Sequence, residues 1–108
     1  MKKNSNPYHK ITKGIKNHIT KIIKGEYQQA ALGTIDKNGY PMVTKVVPMC
    51  YNGSIYLLLS DLSEHAKNLG NNSNTSIYFA ETEKHKIKSH NPRLTLQGTL
   101  RKMMLKKD

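Results

Sequence analysis

Two Asn-Gly dipeptides set the strongest limit on what this chain can fold into. Asn38-Gly39 and Asn52-Gly53 each lie between alternating apolar runs. Asn and Gly accept the left-handed backbone that tight hairpins need, so each dipeptide predicts a turn between antiparallel strands. The first, within Asp36-Lys37-Asn38-Gly39, joins a strand expected at 27–35 to a return strand at 40–47. Pro41 suits an edge or first position, and Pro48 stops the strand. Met49-Cys50-Tyr51 leads into the second turn, and a third strand follows at 54–59. Two more strands are expected at 75–80 and 93–101. In the latter, Leu94, Leu96, Gly98 and Leu100 share one face, with Gly98 marking a bulge or bend.

The run Ser60-Asp61-Leu62-Ser63-Glu64-His65-Ala66-Lys67-Asn68-Leu69-Gly70-Asn71 separates the third and fourth strands. It reads as a short helix. Asp61 is placed to cap it, with Glu64 three residues on as in a capping box. Leu62, Ala66 and Leu69 form one apolar stripe, and Gly70 stands where a terminating glycine belongs. Two readings fit the polar side. Backbone N–H groups, Ser60, Ser63 and Lys67 could converge on a phosphate. Alternatively the helix plugs a barrel end with its serines as caps, and Asp61 and Glu64 favour that version because carboxylates already satisfy the positive helix end. Five strands and two covering helices make a small antiparallel barrel.

One hundred and eight residues form one domain with a modest core. A hydrophobic content of 36% is low for so small a domain, which predicts further burial in a homodimer. Residues 1–24 form a basic amphipathic helix from residue 8 onward, with Ile11, Ile15, Ile19, Ile22 and Ile23 at helical spacing between lysines. Residues 25–108 form the barrel domain, within which 81–92 is a mobile charged linker and 102–108 a basic tail. The net charge of +11 is uneven: both ends are strongly basic and residues 25–83 slightly acidic. Sixteen of the eighteen cations are Lys rather than the Arg that base readers favour, so nucleic-acid binding is not the expected role. The lone Cys50 reads as a small buried hydrophobe in a cytoplasmic protein, and no run reaches transmembrane length.

Catalytic signatures are missing. There is no dinucleotide fingerprint, no phosphate-loop lysine, no nucleophile–base pair and no paired carboxylates. His85 and His90 match no metal-ligand spacing, so no metal is expected. Any reaction here would draw its reactive atoms from a bound cofactor.

Three segments resemble a known family. Residues 31–41, Ala-Leu-Gly-Thr-Ile-Asp-Lys-Asn-Gly-Tyr-Pro, resemble the first hairpin of the FMN-binding split barrels, the pyridoxamine 5′-phosphate oxidase-like superfamily. Residues 60–69 and Arg93-Leu94-Thr95-Leu96-Gln97-Gly98 resemble its haem-utilisation branch. The resemblance spans roughly residues 25–102. It implies a mainly β protein with flanking helices, an antiparallel split β-barrel that dimerises with its sites at the subunit interface. In FMN-binding members a hydroxyl ending the third strand and basic residues on the next helix hold the phosphate; those positions are Ser60 and Lys67, with Ser63 adjacent. Where the oxidases contribute an Arg from the second strand, this chain has Thr44 with Lys45 beside it. The resemblance thus implies FMN as cofactor and a flavin-dependent oxidoreductase. The alternative is haem. In that branch the ligand His comes from a portion beyond the equivalent of Asp108, which leaves His65 or a linker histidine as substitute. A third reading, outside the family, is a non-enzymatic basic module on nucleic acid or an anionic surface.

Overall fold

The structure is a computed structural model that describes residues 12–81 and 93–103. Helix α1 (Lys13–Ile23) comes first. Strands β1 (Gln29–Ile35), β2 (Pro41–Val46), β3 (Met49–Tyr51) and β4 (Ser54–Tyr56) follow. Then come helix α2 (Glu64–Asn71) and strands β5 (Asn74–Ala80) and β6 (Arg93–Thr99). The chain is mainly β with two helices. Its antiparallel strands form a four-stranded sheet, β2-β1-β5-β6, and a separate β3-β4 ribbon. The large sheet does not close on itself, as befits a split barrel.

The two Asn-Gly signals hold. Asp36 organises the β1–β2 turn, its Oδ1 accepting from the backbone N–H groups of Asn38 and Tyr40 at 2.8 and 2.9 Å, and Gly39 takes φ +86°. Between β3 and β4, Asn52 and Gly53 both have positive φ, 49° and 76°, as a two-residue hairpin of the twist-matched type requires. The third strand is shorter than expected: only Ser54–Tyr56 pairs, and it pairs with Met49–Tyr51, which the sequence reading took as a lead-in. Pro48 lacks an N–H, so the chain breaks from β2 and starts a new ribbon instead of continuing the meander.

Strand parity builds the core. Ala30, Leu32 and Thr34 of β1 point inward with Ile77 and Phe79 of β5. Ile22, Ala30, Leu32, Ile77 and Phe79 are all buried, ringed by Tyr27, Val46, Ile55, Leu57, Leu59, Leu94, Leu96 and Leu100. Tyr27 lies just before β1; its ring meets Phe79 edge-on at 5.2 Å and its hydroxyl donates to the Pro48 carbonyl at 3.2 Å. Helix α1 is capped by Thr12, which accepts from Ile15 N–H at 3.2 Å. Its isoleucine stripe is buried only at Ile22, while Ile15 stays exposed, so the helix packs by its C-terminal end. His18 pins it to the end of β5 through Glu81 at 2.7 Å. Residues 8–11 of the expected helix and residues 82–92 of the expected linker lie outside the described residues. So do 104–108 of the expected tail, of which Lys102 pairs with Asp61 at 3.2 Å. Cys50 is half-buried and free. Among the described residues, no helix is long and apolar enough to cross a membrane.

Gly98 is neither bulge nor bend. The β5–β6 register runs unbroken from Asn74↔Thr99 to Ala80↔Arg93, with Thr75 opposite Gly98, and a Cβ at Gly98 would meet nothing within 4 Å. Gly98→Ala should therefore leave stability unchanged or raise it by about 0.4–1 kcal/mol. Phe79→Ala, which empties the centre of the core, should cost about 3–5 kcal/mol. Urea unfolding of the two variants checks both, and a large loss at Gly98 would restore the bulge.

Candidate functional site

The link from Leu57 to Ser63 carries the chain off the β3-β4 ribbon and into α2. The capping differs from the sequence expectation. Ser63, not Asp61, is the N-cap: its backbone is extended and its hydroxyl accepts from Ala66 N–H at 3.1 Å. Ser60 shapes the turn before it, its Oγ accepting from Leu62 N–H at 3.2 Å and its carbonyl from Ser63 N–H at 2.9 Å. Asp61 and Leu62 thus fall outside the helix, and Glu64, the first helical residue, closes no capping box with Asp61. Gly70 lies within the helix, which ends at Asn71 with Asn72 as its C-cap.

The buried face of α2 is polar, which the sequence reading missed. Leu62, placed on the inward stripe, is 83% exposed. The residues that turn inward are His65 and Asn68, 4% and 5% exposed, one turn apart. They meet Thr34, 1% exposed on β1. His65 Nδ1 lies 2.7 Å from Thr34 Oγ1 and Nε2 lies 2.6 Å from Thr44 Oγ1 on β2. Asn68 Nδ2 donates to Thr34 Oγ1 at 3.0 Å and sits 3.7 Å from Met42 Sδ. One imidazole therefore ties a helix to two strands. Among the described residues no buried side-chain nitrogen or oxygen lacks a partner. A signal was available: Thr34 has core parity with Ala30 and Leu32, and a buried hydroxyl needs a partner.

Beyond this cluster, beside the free edge of β2, opens a cleft of about 570 Å³, within the usual range of small-molecule sites. One end is polar, where Thr44 meets His65 near Ser63; Lys45 also lines the cleft, and Val47, Met49, Leu57 and Leu58 give it apolar surface. Val47, Met49 and Leu58 are largely exposed, Leu58 at 89%. Three of the five residues expected at a phosphate, Thr44, Lys45 and Ser63, thus come together. Ser60 and Lys67 lie outside the lining. Lys67 stands on the exposed side of α2, 3.6 Å from Glu64, and both are more than half exposed. A second cleft of about 650 Å³ lies across the other sheet face, between Gly33, Ile35, Val43, Ser76, Gln97 and Thr99, and none of its lining residues is charged. Among the described residues no cluster of His, Cys, Asp and Glu could hold a metal.

The open antiparallel sheet with its separate ribbon and two helices is the arrangement of a split barrel. The family model for pyridoxamine 5′-phosphate oxidase matches residues 15–106, so the chain belongs to that family. No curated relative matches it. Among solved structures it is similar to a haem binding protein from Mycobacterium smegmatis, at 26% identity and TM-score 0.65 over 72% of this chain and 32% of that one. It is also similar to HutZ, a haem storage protein from Vibrio cholerae, at 26% identity and TM-score 0.64 over 78% of this chain and 59% of that one. A conserved hypothetical protein from Mycobacterium tuberculosis shares the fold at 16% identity and TM-score 0.69, over 90% of this chain and 56% of that one. The chain thus spans less than two thirds of each of these neighbours. The superfamily is the one expected from the hairpin and helix motifs, haem-utilising members included.

Burial holds the His65 imidazole below its ordinary value of 6.5, because desolvation penalises the cation. As pH falls, the unfolded chain takes up this proton before the folded one does. The associated stability is therefore complete above about pH 6.5 and is lost as pH drops through the folded value. Wild-type protein should show a falling urea midpoint between about pH 7.5 and about pH 5.5, and His65→Gln a flatter profile over the same range. Parallel profiles would remove His65 as the source.

Proposed function

We propose that this chain is a cofactor-binding split-barrel protein whose cleft takes FMN, in a homodimer, as a flavin-dependent oxidoreductase. The observation that carries the reading is the donor set at the polar end. Two hydroxyls, Thr44 and Ser63, stand there, Lys45 also lines the cleft, and no lining residue is a carboxylate, which suits a phosphate. Val47, Met49 and Leu58 offer apolar surface to a ring system. Their exposure in a single copy supports completion of the site by a second copy. When bound, FMN supplies the hydride and electron transfer that no side chain here can perform. The chain's own residues bind, orient and exclude water.

The two haem-binding neighbours favour a second reading, a haem-binding protein of the same fold. His65 does not serve that reading as an axial ligand, since both ring nitrogens are engaged by threonine hydroxyls. Iron would have to draw its ligand from elsewhere.

Absorbance titrations of the apoprotein with FMN and with haem separate the two. FMN should bind with a perturbed flavin spectrum, and Lys45→Ala should weaken it about tenfold through loss of one charge-assisted contact. Lys67→Ala should act less, since an exposed ion pair with Glu64 already screens that ammonium. Saturable haem binding with a sharp Soret band and no FMN uptake would replace this reading with the second.

A further inference from the structure

The polar cluster has a direction, and the direction follows from counting protons. Asn68 Nδ2 touches both Thr34 Oγ1 and Met42 Sδ. A thioether sulfur is a weak acceptor, so it faces the amide N–H₂ and not the carbonyl oxygen, whose lone pairs would oppose it. Asn68 therefore donates to Thr34. Thr34 has a single hydroxyl proton and, among the described residues, one side-chain acceptor for it, His65 Nδ1. Leaving that proton unpaired at a 1% exposed site would forfeit a buried hydrogen bond. Nδ1 is then the acceptor, and the neutral ring carries its proton on Nε2. Nε2–H donates to Thr44 Oγ1. Thr44 has thereby used its oxygen as acceptor towards the protein interior, and its own proton is left for the cleft that Thr44 lines.

We propose that Asn68, Thr34 and His65 form a directed hydrogen-bond chain that holds the Thr44 hydroxyl as a donor to the cleft, so that Thr44 selects an anionic oxygen there. His65 is a positioning residue: it acts on the ligand only through Thr44. Ser63 supports the same polarity. Its oxygen accepts from Ala66 N–H, so its proton too is left over. The polar end thus presents hydroxyl donors, in a cleft that Lys45 also lines. Such an array accepts a phosphate or carboxylate and disfavours a group that must itself donate. The assignment of that oxygen to the phosphate of FMN rests on the proposed function; the direction of the chain does not.

Two measurements on the full chain test this separately. Long-range ¹⁵N–¹H spectra should show His65 as a single neutral tautomer with the proton on Nε2. A ring protonated on Nδ1, or on both nitrogens at neutral pH, would overturn the proposal. Thr34→Val keeps the side-chain shape and removes the donor to Nδ1. It should yield a mixture of tautomers and lower FMN affinity about fivefold, while riboflavin, the same ring system without phosphate, binds as to wild type. Thr34→Ser should restore both. A Thr34→Val protein with the wild-type tautomer and wild-type FMN affinity would also overturn it. If wild-type protein binds neither flavin, the cofactor reading fails and the tautomer still decides this one.

Discussion

One neutral imidazole wedged between two threonine hydroxyls is the contact on which the rest of this structure depends. His65 bridges Thr34 on β1 and Thr44 on β2 from a helix of only eight residues. So short a helix has little intrinsic stability, and α2 brings little apolar surface to the core, since its two buried residues are His65 and Asn68. Its position is set by directional bonds in a dry environment. Such bonds are strong when every partner is satisfied and costly when one is missing. The same bonds place Ser63 at the polar end of the cleft and fix Thr44 beside it.

The sheet supplies the other half of the site. β1 and β5 carry Leu32, Ile77 and Phe79 and are paired on both sides, whereas β2 lies at the sheet edge. An edge strand keeps one row of backbone groups unpaired and can line a cleft. β2 contributes Thr44 and Lys45 there, and the break at Pro48 turns the chain away into the β3-β4 ribbon. Met49 comes from that ribbon and Leu58 from the segment after it. The break that prevents a continuous meander is therefore also what separates the walls of the cleft. Its apolar wall lies open in a single chain, with Val47, Met49 and Leu58 largely exposed.

Much of this was legible in the chain alone. The two Asn-Gly turns, the pairing of β1 with β2 and the alternation of β6 follow from local backbone preference and period-two burial. Family membership followed from three short segments in order. Of the five residues the resemblance points to, Thr44, Lys45 and Ser63 line one cleft and Ser60 and Lys67 do not. Leu62, Ala66 and Leu69 satisfy helical spacing, which predicts an inward stripe, yet Leu62 precedes the helix and is exposed. The choice between caps two residues apart, Asp61 or Ser63, is decided by which hydroxyl or carboxylate can reach a free N–H. Glycine permits a bulge or bend at Gly98, but the β5–β6 register runs through it unbroken.

The sequence by itself determined the strand pattern, the turns and the class of fold, because those depend on neighbours within a few residues and on side-chain parity. Only the tertiary structure decided that His65 and Asn68 face inward, that Thr34 receives them, and that Thr44, Lys45 and Ser63 share one cleft while Lys67 pairs with Glu64 outside it. The contacts of His65 and Asn68 join residues 21 to 34 positions apart. Whether a polar side chain is buried depends on a partner being there to meet it, and no local pattern records where that partner will be.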